Sequence, residues 1–460
     1  MSEMTPSKIQ SILDEKGVVP SRKLGQNFLA DKEAAAWIVD QLNPTLNDTV
    51  VEVGPGTGAL TEHIVTKVGR LILIEFDARL AEYLTTRFED EAHVTVIHID
   101  AARFDIGKLY AYPNLKFIGN LPYSAGGAIV KRFLNHPTPI KVAILMFQKE
   151  FVDRMKATAD MRTKAYGVLS LRMQLDWDIE ELKVLPPECF LPEPVIDSTV
   201  VRFTPRQDKN ELYDGLNRFD FDRLIRVGFA QRRKQLKKQL KNEDIADWSG
   251  LMKSLGHEAT VRAEELSLEE WLKLTQYVST ANLVERPQAQ KDDEILDVVD
   301  INDEVIGQAT RAEIHAKNLA HRSVHILVFD KYKRVYLQQR SKFKDTHPLA
   351  WTSSASGHID SGEGYESAAI RELEEELSLQ IEQSSLTQIA HLPASGATGS
   401  EELRIYAVQY TGQPVWNSYE IEAGRWFDIE TVNEWLNTEH GKIDFAGGFS
   451  EVWQAFTAKL

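Results

Sequence analysis

Five short apolar runs near the start of this chain constrain its fold more than any other feature. They are Thr49-Val-Val-Glu-Val53, Arg70-Leu-Ile-Leu-Ile74, Val94-Thr-Val-Ile-His98, Lys116-Phe-Ile118 and Val142-Ala-Ile-Leu-Met146. Each reads as a buried strand, and amphipathic stretches such as 80–88 lie between them. Strands that alternate with helices predict a parallel sheet covered on both faces, an α/β arrangement.

A length of 460 residues suits two or three domains, and 43% hydrophobic content is enough to build their cores. The lone cysteine, Cys189, excludes an internal disulfide framework and fits a reducing, cytoplasmic setting. The N-terminal stretch lacks the apolar segment of a signal peptide, so none is expected. No run approaches the roughly 18 apolar residues of a membrane helix, so no membrane partner is expected. The net charge of −16 is unevenly spread. Through residue 290 there are 38 Lys and Arg against 41 Asp and Glu; beyond it there are 15 against 28. Two regions of different electrostatic character suggest two kinds of partner. Val284-Glu-Arg-Pro-Gln-Ala-Gln-Lys-Asp-Asp-Glu294 is polar, contains proline and lacks helical periodicity, as linkers do. The expected division is 1–205, a mainly helical lobe over 206–282, a linker at 283–294, and 295–460. In the last part, strands at 325–329, 335–339 and 404–410 and one strong helix at 365–377 predict an α+β domain.

Val50-Val-Glu-Val-Gly-Pro-Gly-Thr-Gly58 is a strand running into glycines 54, 56 and 58. Such a loop lets the main chain approach a ligand closely. Taken alone it suits NAD, FAD or S-adenosylmethionine, or simply turns the chain. The next strand ends at Glu75, about 20 residues on, where a carboxylate can accept ribose hydroxyls. The third ends at Asp100, placed to meet an adenine edge. Both acids are also ordinary strand-end charges. The fourth strand ends in Gly119-Asn-Leu-Pro-Tyr-Ser124, a polar cluster that a core does not need, at the carboxyl end where such sheets bind ligands.

Asn-Leu-Pro-Tyr is the signature of amino-methyltransferases, and residues 8–280 resemble the small-subunit rRNA adenine dimethyltransferases. The likeness runs in order through Gly25-Gln-Asn-Phe-Leu29, Glu52-Val-Gly-Pro-Gly-Thr-Gly58, Asn120-Leu-Pro-Tyr123, Phe147-Gln-Lys-Glu150 and Lys164-Ala-Tyr-Gly167. It continues in Pro186-Pro-Glu-Cys-Phe-Leu-Pro-Glu-Pro-Val-Ile-Asp-Ser198 and Gly228-Phe-Ala-Gln-Arg-Arg-Lys234. It implies a Rossmann-like methyltransferase with a small helical lobe, with small-subunit rRNA and the pre-small ribosomal subunit as partners. It implies a pocket for S-adenosylmethionine made by Asn27, Leu29, Gly54, Gly56, Glu75, Asp100 and Asn120. At the reacting amine, the side-chain oxygen of Asn120 and the main-chain carbonyl of Leu121 would accept the two N–H bonds. Pro122 would stiffen the loop, and Tyr123 would offer a face to an extruded base. Phe190 is the candidate second stacking face, or else a plain core residue.

Between Arg218 and Lys241 there are nine basic residues and two acidic ones. An apolar stripe at Phe229, Leu236 and Leu240 makes this read as a basic helix. Arg232, Arg233, Lys234, Lys237 and Lys238 on it would lie along RNA phosphates; a solvated helix face is the plainer alternative.

In the second half, Glu372, Glu375 and Glu376 place three carboxylates on one helix face. Hard oxygen donors in that number suit Mg²⁺ or Mn²⁺. With Gly357, Glu363 and Arg371 at the intervals seen here, the segment resembles the Nudix hydrolase box, except that Ser378 stands where that box has glycine. The resemblance implies that the three glutamates bind metal, Arg371 orients a glutamate, Glu363 supports the loop, and the substrate is a small-molecule diphosphate. Trp351-Thr-Ser-Ser-Ala-Ser-Gly-His358 also looks like isopentenyl-diphosphate isomerases, whose metal-binding histidines fall at His321 and His358. The position of their catalytic cysteine holds Ser356, which disfavours protonation chemistry, and the histidines are read as structural.

The expectation is therefore a fused protein: an rRNA adenine-N6 dimethyltransferase followed by a Nudix hydrolase. Two alternatives stay open for the first part. One is a large-subunit rRNA methyltransferase of the erythromycin-resistance type; the other is an RNA-binding assembly factor with vestigial catalysis.

Overall fold

The computed structural model describes residues 4–20, 26–122, 124–207, 213, 216–243, 245–281, 293–416 and 420–459. The chain divides into two compact units, residues 1–214 with 220–281, and residues 282–460 with 215–219. The expected linker lies, except for Asp293 and Glu294, outside the described residues, as does Tyr123.

The first unit is built on seven strands: β1 (Thr49–Val53), β2 (Arg70–Glu75), β3 (Val94–His98), β4 (Leu115–Asn120), β5 (Val142–Gln148), β6 (Trp177–Leu185) and β7 (Ser198–Pro205). They lie in the order β3-β2-β1-β4-β5-β7-β6. The first five are parallel, and β7 runs antiparallel to both β5 and β6. Side chains alternate across the sheet. Val50, Leu71 and Leu73 enter one core, with Ile38 and Leu84; Val51, Ile72 and Ile74 enter the other, with Ile129 and Phe133. Both faces are thus dry, which is why these strands read as unbroken apolar runs. Strands β6 and β7 were not anticipated. Trp-Asp-Ile-Glu-Glu-Leu-Lys-Val-Leu is polar at every other position or more because β6 is an edge strand with one partner.

Helices α1 (Pro6–Glu15), α2 (Lys32–Leu42), α3 (Ala78–Arg87), α4 (Gly126–Leu134), α5 (Lys149–Lys156) and α6 (Val168–Asp176) accompany the sheet. Asp31 and Asp77 cap α2 and α3 by accepting the amides of Ala34 and Arg79. The lobe contains α7 (Arg218–Phe229), α8 (Leu236–Gln239), α9 (Trp248–Ser254) and α10 (Leu268–Ala281). The basic stretch is therefore not one helix. It breaks at 230–235, because Leu236 turns inward, buried, with its amide on the Val261 carbonyl at 2.8 Å.

The second unit has nine strands in one mixed sheet: β8 (Ile295–Val299), β9 (Val305–Thr310), β10 (His321–Phe329), β11 (Val335–Arg340), β12 (Trp351–Thr352), β13 (Ala355–His358), β14 (Thr387–Leu392), β15 (Glu401–Gln409) and β16 (Ile421–Phe427). At its centre β10 pairs with β15 in parallel, which sets His321 opposite Glu401, and with β13 antiparallel, which sets Ser323 opposite His358. Helix α11 (Arg311–Lys317) follows β9, and α12 (Tyr365–Leu377) packs on β10 and β13 through Ala368, Ala369, Leu373 and Leu377. Helices α13 (Ile429–Leu436) and α14 (Phe449–Thr457) complete it. Among the described residues no helix is long and apolar enough to cross a membrane.

Helix α12 ends on Ser378, whose φ of +55° is left-handed. The amides of Ser378 and Leu379 reach back to the carbonyls of Glu374 and Leu373, 3.0 Å each. Serine thus adopts the turn that glycine makes without strain. Ser378→Gly is expected to stabilise the second unit by about 0.5–1 kcal/mol, measured by denaturant melting, where no gain would mean that the turn is unstrained.

Candidate functional sites

A cavity of about 260 Å³ opens at the carboxyl ends of β1, β2, β3 and β4. Asn27, Leu29, Gly54, Gly56, Glu75, Asp100, Asn120 and Pro122 all line it. Gly56 has φ +58°, and a Cβ there would stand 2.8 Å from the Phe28 ring, so the loop can pass this close to its neighbour only as glycine.

Asn120 donates from Nδ2 to the Asn27 carbonyl at 2.8 Å. A carbonyl only accepts, so this bond determines which way the amide faces and leaves Oδ1 as the acceptor. Pro122 turns the chain at once, its carbonyl taking the amides of Ala125 (3.0 Å) and Gly126 (2.9 Å) at the start of α4. Leu121 is buried at 2% exposure. Glu75 is buried and holds three main-chain donors. Oε2 accepts Gly56 N at 3.0 Å, and Oε1 accepts Phe76 N and Asp77 N at 2.8 and 2.9 Å. Burial pushes its pKa up against those donors. Oε2, with one donor, keeps spare acceptor capacity toward the cavity. Asp100 accepts Ala102 N at 2.9 Å and is partly exposed at the cavity edge.

Phe190 departs from the expectation. It is 2% exposed, lies in the hydrophobic core beneath the sheet and pairs with Leu29. Its ring presents no face to a base, because the short Phe28–Leu29 and Phe190–Leu191 ladder turns it inward.

Among the cavity residues that escaped the reading of the sequence, Phe76 and Glu52 carry the most chemistry. Phe76, 59% exposed, lines the cavity beside Glu75; its place just past a strand end was the available signal. Glu52 also lines it, 1% exposed, with Thr61 Oγ1 donating to Oε2 at 2.7 Å. Burial pushes its pKa up to about 8, opposed by the Thr61 bond, with Glu75 adding and Arg87 opposing. A carboxyl whose pKa is raised on folding from the ordinary value of about 4.3 costs stability progressively as pH climbs toward the folded value. Glu52→Gln should therefore melt higher than the parent at pH 8, by the equivalent of a few kcal/mol, and similarly to it at pH 4. A pH-independent difference would refute the raised pKa.

In the lobe, Arg233, Lys234, Lys237 and Lys238 are exposed, but Arg232 is not free to meet a phosphate. Its guanidinium binds the carbonyls of Lys164 and Tyr166, lies 3.6 Å from Glu264, and stacks over Phe229 at 5.6 Å. Tyr166 donates to Leu266 O at 2.7 Å, and Arg172 holds Asp222 through two bonds of 2.7 Å. The Lys164-Ala-Tyr-Gly167 motif thus docks the lobe on the sheet domain.

The second unit has a cavity of about 550 Å³ flanked by α12. Glu372 and Glu376 on it are buried and Glu375 is exposed. Arg371 bridges Glu363 (2.9 and 3.2 Å), Glu372 (2.7 Å) and Glu375 (3.3 Å), and donates to His358 O at 3.1 Å. Glu376 Oε2 accepts Gln338 Nε2 at 2.9 Å and Ser356 N at 3.1 Å. A Cβ on Gly357 would overlap the Glu372 carboxylate, which is why a glycine stands there. Burial raises the pKa of Glu372 and of Glu376, and the Glu376 charge adds to the rise at Glu372. Adjacent buried carboxyls of this kind fit a divalent cation, whose charge relieves both.

Residues distant in sequence, His315 and His358, line the same cavity, and His321 packs against both. His321 and His358 come together with His315, their ring nitrogens within 4.8 Å of one another. His321 Nδ1 donates to Leu319 O at 2.9 Å, which places the lone pair on the buried, unpartnered Nε2. Burial lowers all three pKa values, keeping the rings neutral.

Comparison with known proteins gives a family match for each unit. The profile of the family described as ribosomal RNA adenine dimethylase matches residues 20–280, and that of the NUDIX domain matches residues 319–445. The ribosomal RNA small subunit methyltransferase A of Acidobacterium capsulatum is 42% identical over 251 residues, covering 54% of this chain and 87% of that protein. Its namesake from Legionella pneumophila is 36% identical over 260 residues, covering 56% and 98%. A crystal structure of a dimethyladenosine transferase from Plasmodium falciparum is 23% identical, with a TM-score of 0.47 over 56% of this chain and 98% of that one. The chain belongs to the ribosomal RNA adenine dimethylase family and carries a NUDIX domain behind the methyltransferase unit.

Proposed function

We propose that the first unit transfers methyl groups from S-adenosylmethionine to the N6 amines of two adjacent adenosines near the 3′ end of small-subunit rRNA, in the cytoplasm and on the pre-small ribosomal subunit. The observation that supports this best is the Asn120 amide, oriented by Asn27 with its acceptor oxygen left over. The cofactor fits the chemistry of its cavity. Glu52 and Glu75 are buried carboxyls that a positively charged ligand would relieve, and Phe76 offers an aromatic face to adenine.

When bound, S-adenosylmethionine supplies an electrophilic methyl carbon. Asn120 Oδ1 and the Leu121 carbonyl hold the amine by its two N–H bonds, turning the nitrogen lone pair out of the ring and toward that carbon. With the amine held there, the methyl would pass from sulfur to nitrogen and the surplus proton would leave to water. Pro122 keeps the two acceptors in register. Tyr123, by the family resemblance, stacks on the extruded base. Arg233, Lys234, Lys237 and Lys238 meet RNA phosphates; Arg232 instead holds the lobe that carries them. Radiolabelled methyl transfer into purified precursor subunits is the test. Label in small-subunit rRNA is expected; label in the large subunit, or binding with no label, would overturn the reading.

In the second unit, Glu372, Glu375 and Glu376 would hold Mg²⁺ or Mn²⁺, which would supply activation of water toward a diphosphate. Arg371 and Glu363 keep the glutamates in place. The buried Nε2 of His321 favours a further metal at His315, His321 and His358. Loss of one bound transition metal in His321→Asn would support it, and unchanged metal content would exclude it.

A further inference from the structure

We infer that the cavity of the second unit takes a compact, hydroxyl-rich diphosphate, such as a phosphorylated sugar or polyol, in preference to a nucleoside or prenyl diphosphate. The inference rests on reading that cavity as a metal-dependent diphosphate site and narrows its substrate.

The walls carry the argument. Among the described residues that line the cavity there is no Phe, Tyr or Trp, and Leu403 is the one hydrocarbon side chain larger than alanine. The rings in that wall are imidazoles, of which His315 and His358 belong to the histidine cluster and His325 is held by Ser353; a nucleobase would have only imidazole and guanidinium faces to lie on, and the continuous apolar wall that a prenyl chain needs is not offered. The first unit provides an internal contrast. Its cavity, assigned to an adenosine-bearing cofactor, is lined by Phe28, Leu60, Phe76, Leu80 and Ile129. One chain has thus built a site with a broad apolar and phenyl wall and a site whose rings are all imidazoles.

What the second cavity does offer is hydrogen-bonding capacity. Hydroxyls of Thr346, Thr352, Ser356 and Thr398 line it, together with main chain from two glycine-bearing loops, 396–399 and 446–448. Hydroxyl groups on a ligand can both donate to and accept from such walls.

An anion is indicated independently of the carboxylate helix. Arg311 is 5% exposed and lines the cavity; Nη2 reaches Asp345 at 3.2 Å, while Nη1 is buried with no partner. A buried guanidinium nitrogen without an acceptor is costly unless a ligand provides one. Arg340 lies in the same wall, held by the Thr346 carbonyl at 3.0 Å and the Thr346 hydroxyl at 3.2 Å. The reaction is hydrolysis. Water oxygen bonds to one phosphorus, the bridging P–O bond breaks, and the water protons pass to the released phosphate and solvent. The products are inorganic phosphate and the phosphate monoester left on the substrate, and nothing is oxidised or reduced.

The test uses the full chain with Mg²⁺ or Mn²⁺ and measures phosphate release from ribose 5-phosphate 1-diphosphate, inositol polyphosphate diphosphates, ADP, CDP and isopentenyl diphosphate. The hydroxylated probes are expected to exceed the others by at least about tenfold in kcat/KM. Arg311→Gln is expected to raise KM by about tenfold with a lesser effect in Arg311→Lys, both compared at equal melting temperature. Equal or better turnover of ADP, CDP or isopentenyl diphosphate would overturn the substrate inference and leave the diphosphate reading standing. Failure of every probe with both cations would overturn the two together.

Discussion

Asn120→Ala is expected to lower methyl transfer by about 10²–10³-fold while RNA affinity stays nearly intact. The size follows from what is removed, an acceptor whose bond to the amine is worth most as the nitrogen leaves conjugation with the ring. RNA affinity is preserved because the exposed cations at Arg233, Lys234, Lys237 and Lys238 belong to the separate lobe. Asn120→Asp gives a sharper version of the test. It retains an acceptor but replaces the Nδ2 donor that reaches Asn27 with a second oxygen facing a carbonyl. That repulsion should misplace the acceptor and lower kcat more than it raises KM for rRNA. Wild-type activity in Asn120→Ala would remove the central element of the proposed mechanism.

Glu376→Gln should have opposite effects on the two properties of the second unit. Mn²⁺ affinity is expected to fall by about tenfold or more and diphosphate hydrolysis by about 10²–10³-fold, since one charged oxygen donor is lost. The metal-free protein should nevertheless be more stable than its parent at neutral pH. Burial holds the Glu376 pKa above its usual range, so ionising it costs folding energy as pH rises, and glutamine has nothing to ionise. Gln338 and Ser356 N both donate to Glu376 Oε2, and an amide oxygen can keep those bonds. Titration calorimetry with Mn²⁺ and thermal melts in chelator measure the two effects. If affinity, turnover and stability all stay unchanged, the metal assignment at α12 is wrong; if all fall together, Glu376 is a structural residue.

Much of this was legible because it is local. An apolar run bounded by turn residues specifies a strand whatever lies beside it, and β1 through β5 sit within two residues of where the periodicity puts them. Helix α12 spans Tyr365–Leu377, the limits read from the sequence, because its periodicity and bounding turns are local too. Glycines after a strand, an Asn-Leu-Pro-Tyr at a strand end and three glutamates on one helix face carry their chemistry in their own spacing. The glycines and the strand ends pointed to the cavity-lining residues Gly54, Glu75, Asp100 and Asn120, whereas Asn27 followed only from the family resemblance.

What only the tertiary structure decided concerns partners far apart in sequence. Arg232 has the same side chain as Arg233, but it meets the carbonyls of Lys164 and Tyr166 while Arg233 stays exposed. Phe190 is core because its strand pairs with Leu29. His321 faces Glu401 because β10 and β15 pair in parallel, and His315 joins His321 and His358 from a helix that follows another strand. Glu52 sits in the middle of an apolar run and turns out to be a buried acid on the cavity wall. Periodicity states which face of an element is buried. It does not state which other element covers that face, and a polar group's role depends on the partner it finds there.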